Sequence, residues 1–353
     1  MNSRIKNIYS KLEQKNLDGI IVTLPANITY LTKYPSRDSY LLVSKKGNVY
    51  FTDSRYIEEA KNALKGLAVL QKVNGSVFKL IGDACLDLGL KRVAFEERYL
   101  TFAEYKKIKE GIGRKVVLVP THNLIEELRE IKEPEELKKI RKAIAITARC
   151  FKFIENLIVP GKQEIELAGE IERFIRYQGA SGSSFEIIVA SGPNSSFPHH
   201  ISSQRKIRKN EAALLDMGVE YLGYKSDLTR VFFLGKINIL AQKLYNIVLE
   251  AQGRAIKKVK PGELVSEIDK ASRGYITQKG FGAYFGHNLG HGVGLEVHEA
   301  PHISGKESNM LKPGMVFTVE PGIYLPHKFG IRIEDMVLVT KSGCEVLSGA
   351  INK

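Results

Sequence analysis

The sequence predicts an α/β (α+β) protein of two domains: an N-terminal mixed-sheet α/β domain over residues 1–125 and a second domain over 126–353 with an internal pseudo-twofold repeat. Three observations predict it. Helical and strand patterns alternate through the first 125 residues, a new helix start is written at 131–136, and the order helix, Pro-Gly, helix, Gly, strands recurs at an offset of 101 residues. At about 100–200 residues per domain, a chain of 353 residues can fill two cores.

In the first domain an amphipathic opening helix leads into the apolar segment 19–24. Segments 39–43 and 49–52 flank a Lys-Lys-Gly-Asn turn and read as a hairpin, and further strands are expected at 93–95 and 116–119. The second domain opens on IKEPEE. Pro134 there occupies a first helical turn, where its missing donor costs nothing, and three acidic residues meet the positive end of the helix dipole. Leu137, Ile140, Ile144, Phe151, Ile154 and Ile158 follow in three- and four-residue steps, a buried stripe expected to run until Pro160-Gly161. That pair matches Pro261-Gly262, and Glu166, Leu167, Phe174, Ile175 and Gly179 match Glu267, Ile268, Tyr275, Ile276 and Gly280.

Composition narrows the class. With 43% hydrophobic and 26% charged residues, 31 Gly and 12 Pro, the chain is neither disordered, collagen-like nor a disulfide scaffold. It has no apolar run of roughly 18 residues, and its amino terminus lacks the apolar block of a signal peptide, so neither a membrane span nor export is expected. Cys85, Cys150 and Cys344 are odd in number and far apart, which suits free thiols in a reducing compartment, the cytoplasm by expectation. The net charge of +14 comes from scattered Lys and Arg rather than a basic stripe. It reads as a solvated surface, not a nucleic-acid footprint.

After each helical pair comes a strand pair bearing two carboxylates. Segments 212–218 and 224–234 flank Gly-Val-Glu-Tyr-Leu-Gly, and a turn centred between Tyr221 and Leu222 would set Asp216 opposite Asp227. Segments 315–320 and 331–339 flank the expected turn PGIYLPHKFG, and centring it on His327 sets Glu320 opposite Glu334. Opposed like charges among apolar neighbours are costly, so four such acids call for cations. Seven of eight histidines lie between residues 199 and 327. His287 and His291 have the spacing of a helical zinc pair, but GHNLGHGVG is too glycine-rich for a helix and reads as a strand or loop. Four carboxylates with one or two imidazoles make a hard, oxygen-rich site that favours Mn²⁺ and accepts Co²⁺ or Zn²⁺. The residues thus point to a two-metal hydrolase.

The second domain resembles the pita-bread metallopeptidases, in the branch of Xaa-Pro aminopeptidase and Xaa-Pro dipeptidase (prolidase). The resemblance rests on five ordered blocks: ASGPNSSFPHH, LLDMGVEYLGYKSDLTRVF, FGHNLGHGVGLEVHEAP, PGMVFTVEPGIY and GIRIEDMVLVT. Residues 1–125 are similar to that family's creatinase-like amino-terminal domain. The resemblance implies a pita-bread catalytic domain over 126–353 that binds two divalent metal ions, Mn²⁺ by expectation, through Asp216, Asp227, His291, Glu320 and Glu334, with Asp227 and Glu334 bridging. It implies Glu320 as general base, His199 and His298 as stabilisers of the tetrahedral intermediate and of proton transfer to the leaving nitrogen, and His287 and Arg332 in the pocket for proline and the substrate carboxylate or carbonyl. Tyr224 is read as packing. The implied substrates are short proline-containing peptides, cleaved at the Xaa-Pro bond, with prolidase favoured over aminopeptidase P, and a homodimer is implied. Methionine aminopeptidases share the ligand set but normally lack such an amino-terminal domain. Creatinase-like enzymes dispense with the metal, and non-catalytic peptide- or RNA-binding relatives have typically lost ligands.

Overall fold

A computed structural model describes residues 3–353, which form two compact units, 3–129 and 130–353. The first runs α1 (Ser3–Gln14), β1 (Gly19–Val22), α2 (Pro25–Thr32), β2 (Tyr40–Ser44), β3 (Val49–Thr52), α3 (Ile57–Ala63), β4 (Val69–Lys72), α4 (Val77–Asp87), β5 (Arg92–Glu96), α5 (Phe102–Ile112), β6 (Val117–Thr121) and α6 (Glu126–Arg129). Its strands form one mixed sheet in the order β4-β3-β2-β1-β5-β6. The expected β2–β3 hairpin is present. Strand β4 escapes sequence reading because none of its four residues is buried and so no apolar alternation marks it. Ile21, Leu42, Phe51, Ile81, Val93 and Ile108 belong to one core between the sheet and α4 and α5.

The second unit runs α7 (Pro134–Glu155), α8 (Glu164–Tyr177), β7 (Gly182–Ser183), β8 (Ile188–Ser191), β9 (Glu211–Met217), β10 (Val219–Tyr221), β11 (Tyr224–Lys225), β12 (Leu228–Leu234), α9 (Ile239–Lys258), α10 (Val265–Gln278), β13 (Gly290–Gly292), β14 (Glu299–Ile303), β15 (Val316–Val319), β16 (Gly322–Leu325), β17 (Phe329–Arg332), β18 (Asp335–Val339) and β19 (Cys344–Val346). Helix α7 begins as expected, with Pro134 at its first position and a Glu133–Glu136 capping box. It ends earlier than the apolar stripe suggests. The amides of Leu157 and Ile158 both return to the Ile154 carbonyl, which tightens the last turn and still leaves Ile158 buried. The repeat is structural: α8 and α10 share the 101-residue offset at both ends. The glycines framing them, Gly161 and Gly179 in one half, Gly262 and Gly280 in the other, all take positive φ between 80° and 95°, a region that side chains with a Cβ rarely enter.

Both carboxylate hairpins form, one with a register different from expectation. Strand β9 pairs with β12 so that Asp216 faces Thr229 rather than Asp227, because the turn lies between Leu222 and Gly223, both at positive φ, and not between Tyr221 and Leu222. The shift is two residues, so the side chains stay on the same face of the pleat. In the second hairpin Val319 pairs with Asp335 and Gly322 with Arg332, the register that sets Glu320 opposite Glu334. The expected ten-residue turn is itself mostly hairpin, β16 and β17, with His327 at positive φ in the tight turn.

Two buried polar clusters hold the loops of this unit. Lys132 Nζ donates to Glu299 Oε1 at 2.6 Å, both side chains nearly inaccessible. Glu164, fully buried in the first turn of α8, accepts hydrogen bonds from the amide and hydroxyl of Ser191 (both 2.7 Å), the hydroxyl of Ser203 (2.7 Å) and the Asn194 side-chain amide (3.0 Å), and pairs with His200 Nε2 at 2.9 Å.

Removing one partner of a buried pair leaves an uncompensated charge. Lys132→Met is therefore expected to lose about 3–5 kcal/mol of unfolding free energy, with the Lys132→Met/Glu299→Met pair recovering much of it in denaturant titrations. The Glu164 carboxyl has a different signature. Burial raises its pKa, but the hydrogen bonds from Ser191, Ser203 and His200 outweigh that and hold it below its ordinary 4.5. A depressed value adds stability above the unfolded pKa and loses it as pH falls through the folded one. The stability margin of wild type over Glu164→Gln should thus be full at pH 7 and shrink below about pH 4.5.

Candidate metal centre

Strand ends and turns of the second unit converge on a cavity of about 480 Å³. All nine side chains singled out from the sequence line it: His199, Asp216, Asp227, His287, His291, His298, Glu320, Arg332 and Glu334. They lie in two layers. Asp216, Asp227, Glu334 and Arg332 are buried, Glu320 and His291 are nearly so, and His199 and His298 are exposed.

The backbone explains the floor. Asp216 ends strand β9 near its last residue, and Asp227 immediately precedes β12. Glu334 immediately precedes β18, and its amide donates to the Thr229 carbonyl of β12. Arg230 adds a second tie, from Nη1 to the Glu334 carbonyl at 2.6 Å and from Nη2 to Asp335 Oδ1 at 2.8 Å. His291 sits in β13, whose glycines are required by crowding. A Cβ on Gly290 would lie 1.9 Å from the Thr318 carbonyl oxygen, and one on Gly292 2.1 Å from that of Ala300.

Candidate ligand atoms fall into three triads, each within 4.8 Å: Asp216, Asp227 and Glu334; His291, Glu320 and Glu334; and Asp227, His291 and His298. Asp227, Glu334 and His291 each belong to two. The third triad also brings His298 within ligand reach, which the sequence did not suggest. His291 Nδ1 lies 3.1 Å from the Gly292 carbonyl, so a proton there leaves the Nε2 lone pair facing Glu320 Oε1 at 3.3 Å and Asp227 Oδ2 at 3.5 Å. Burial, then His298, pushes the His291 pKa down to about 3, which keeps the ring neutral and fit to bind a cation.

The carboxylates repel. Burial pushes Glu320 up to about 7. Burial, then Glu334, Asp216 and Glu320, raises Asp227 well above the ordinary range, and burial with Glu320 and Asp216 does the same to Glu334. Among the described lining residues Arg332 is the permanent cation, and it is spoken for. Its Nη2 donates to Asp216 Oδ2 at 2.6 Å, Nη1 to the Tyr324 hydroxyl at 2.8 Å and the Pro198 carbonyl at 3.2 Å, and Nε to Thr229 Oγ1 at 3.0 Å. Asp216 Oδ1 is buried without a hydrogen-bond partner. An orphaned carboxylate oxygen, a lone pair on a neutral imidazole and three more acids form a donor set that fits divalent cations.

Sequence reasoning missed three supports. Tyr324 links Arg332 to His287, its hydroxyl 3.0 Å from His287 Nε2, and Thr229 and Thr318 donate to Glu334 (2.7 Å) and Glu320 (3.1 Å). All three lie inside the quoted blocks, but hydroxyls on strands carry no spacing signal. Tyr224 is packing, as read: it is buried and donates to Glu136 on α7.

Residues 138–341 match metallopeptidase family M24, and residues 4–131 match the creatinase/prolidase N-terminal domain. The chain belongs to family M24. Its similarity to solved members extends over the full length: an Xaa-Pro dipeptidase from Bacillus anthracis is 39% identical with a TM-score of 0.95, covering 99% of this chain and 98% of that one. An X-Pro aminopeptidase from Thermotoga maritima is 34% identical with a TM-score of 0.89, covering 98% and 97%. An uncharacterized peptidase of Bacillus subtilis is 38% identical over 340 residues, 96% of this chain and 95% of the relative. As an M24 metallopeptidase the protein has a pita-bread catalytic domain, and its family implies divalent metal ions at the cavity just described.

If cations relieve the crowded acids, removing one acid should do so too. With chelator present, Glu334→Gln is expected to raise the melting temperature by about 2–4 °C, the shift that 1 kcal/mol gives in a domain of this size. Added Mn²⁺ should then stabilise wild type strongly and the variant little, as read by thermal denaturation.

Proposed function

We propose that this M24 enzyme hydrolyses the bond before proline in dipeptides, with Mn²⁺ as its working metal and a reducing, cytoplasmic compartment as its setting. The observation that carries the substrate is the match along nearly the full length of both chains to a solved Xaa-Pro dipeptidase. A cavity of about 480 Å³ agrees, since it falls within the roughly 300–1,000 Å³ of small-ligand sites. Oxygen-rich donors favour Mn²⁺ over softer ions, and three free cysteines, two of them buried, suit a reducing milieu.

Asp216, Asp227, His291, Glu320 and Glu334 would hold two divalent cations, with Asp227 and Glu334 shared between them. When bound, such ions supply Lewis acidity that polarises a scissile carbonyl and acidifies water. The chain's own residues do the rest. Glu320, with one oxygen held by Thr318, is placed at the cavity to take a proton and return it. His298, whose pKa is lowered by desolvation of its cavity-facing side and by His199, offers a ring N–H to the oxyanion that develops on the carbonyl, and His199 stands beside it at the open side to serve the leaving nitrogen. Arg332 keeps one N–H on Nη2 beyond those given to protein partners, which would serve a substrate carboxylate or carbonyl. His287, fixed by Tyr324 and by the Asn288 carbonyl, walls the proline ring.

The test is hydrolysis of Ala-Pro against Ala-Pro-Ala and Met-Ala-Ala, with Mn²⁺ added and after chelation. Ala-Pro is expected to be cleaved best and chelation to stop it. Cleavage of Met-Ala-Ala alone would overturn the reading. Glu320→Gln is expected to lower kcat by about 10²–10⁴-fold.

A further inference from the structure

The loop between β8 and β9 carries Pro198, His199, His200 and Ile201 along one wall of the cavity. Apolar packing does not hold its outer side, because Phe197 and Ile201 are 59% and 68% exposed. Polar bonds hold its inner side, and they meet at one atom group. The Glu164 carboxylate accepts from residues before His199 (Ser191, Asn194), beside it (His200) and after it (Ser203). The Ser203 amide adds a bond at 3.2 Å, and the amides of Glu164 and Ile165 donate back to the Arg205 and Ser203 carbonyls. The loop is thus wound round a buried anion rather than merely joined to its neighbours. Its inner edge also presents the Pro198 carbonyl to Arg332 at 3.2 Å.

We propose that Glu164 is a positioning residue for the reaction: by closing the 191–203 loop on its carboxylate it places His199 over the cavity. The inference rests on the proposed role of His199 at the leaving nitrogen. Glutamine at 164 keeps the shape but turns an acceptor oxygen into an NH₂ facing donors, so the loop must rearrange. A misplacement of about 1 Å costs on the order of 10²-fold in rate.

The test is a double-mutant cycle on the full chain with Mn²⁺, using Glu164→Gln, His199→Ala and both together, with kcat and KM on Ala-Pro and bound metal per chain measured for each. Glu164→Gln is expected to lower kcat by about 10–100-fold while leaving metal content unchanged, and the double variant should be no slower than His199→Ala alone. Multiplying losses, lost metal or an unchanged kcat would overturn the proposal. A His199→Ala enzyme with wild-type kcat would overturn it too, while leaving Xaa-Pro cleavage by wild type to stand separately. If Glu164→Gln does not fold, Ser203→Ala and Asn194→Ala, each removing one donor to the carboxylate, are put through the same cycle. Smaller kcat losses that vanish in the His199→Ala background support it, and multiplying losses overturn it.

Discussion

Four carboxylates and one guanidinium share the buried floor of the cavity, and that imbalance governs the second unit. Arg332 compensates Asp216 directly, which leaves Asp227, Glu320 and Glu334 facing one another with raised pKa values. Desolvation and repulsion make this arrangement costly for a cation-free chain. The surrounding bonds have one effect in common: they stop the acids from moving apart. Arg230 and the Thr229 carbonyl pin the backbone of Glu334, and Thr229 and Thr318 hold individual carboxylate oxygens. The fold stores a preorganised demand for positive charge, and such preorganisation is what lets a bound cation act without first reshaping its ligands.

The repeat explains how one chain assembles such a floor. Each half contributes a helical pair ending in a left-handed glycine and then a hairpin with two acids, so a single supersecondary unit used twice supplies all four. The halves differ where function requires it. In the first, β8 lies antiparallel to the acid-bearing strand β9 and sets the apolar Ile188 opposite Asp216. In the second, β13 takes the matching place beside β15 and brings His291. One imidazole against four acids is thus a departure from symmetry, made possible by glycines that let β13 lie against its neighbours with no room for a Cβ.

Much of this was legible from residue order alone, for a reason that can be stated. Side chains alternate faces with period two, so a register displaced by two residues still put Asp216 and Asp227 on one surface, whereas a displacement of one would have sent them to opposite sides. Helix punctuation by Pro134 and by paired Pro-Gly steps is local chemistry and reads directly. What stayed hidden depends on contacts distant in sequence. Glu164 looks like any first-turn helix acid until Ser191, Asn194, His200 and Ser203 fold onto it. Strand β4 is exposed and leaves no apolar pattern, and Tyr324 matters only because a strand pairing sets it between Arg332 and His287.

The two layers of the cavity differ in mechanical support. The floor acids stand at strand ends inside a hydrogen-bonded sheet framework, whose geometry changes little without unfolding. His199 and His298 stand on loops, one wound round Glu164 and the other immediately before Glu299, which Lys132 locks. Each loop is therefore tied down by a buried charge close to its histidine. Charge-assisted bonds are directional, so they fix orientation as well as distance. Proton transfer needs that orientation. A cation held by several oxygens tolerates small shifts of any one ligand, but a proton moves well only along an aligned donor–acceptor path. Buried ion and hydrogen-bond clusters thus lie under both exposed histidines, and in the proposed reaction they would keep the rings aligned.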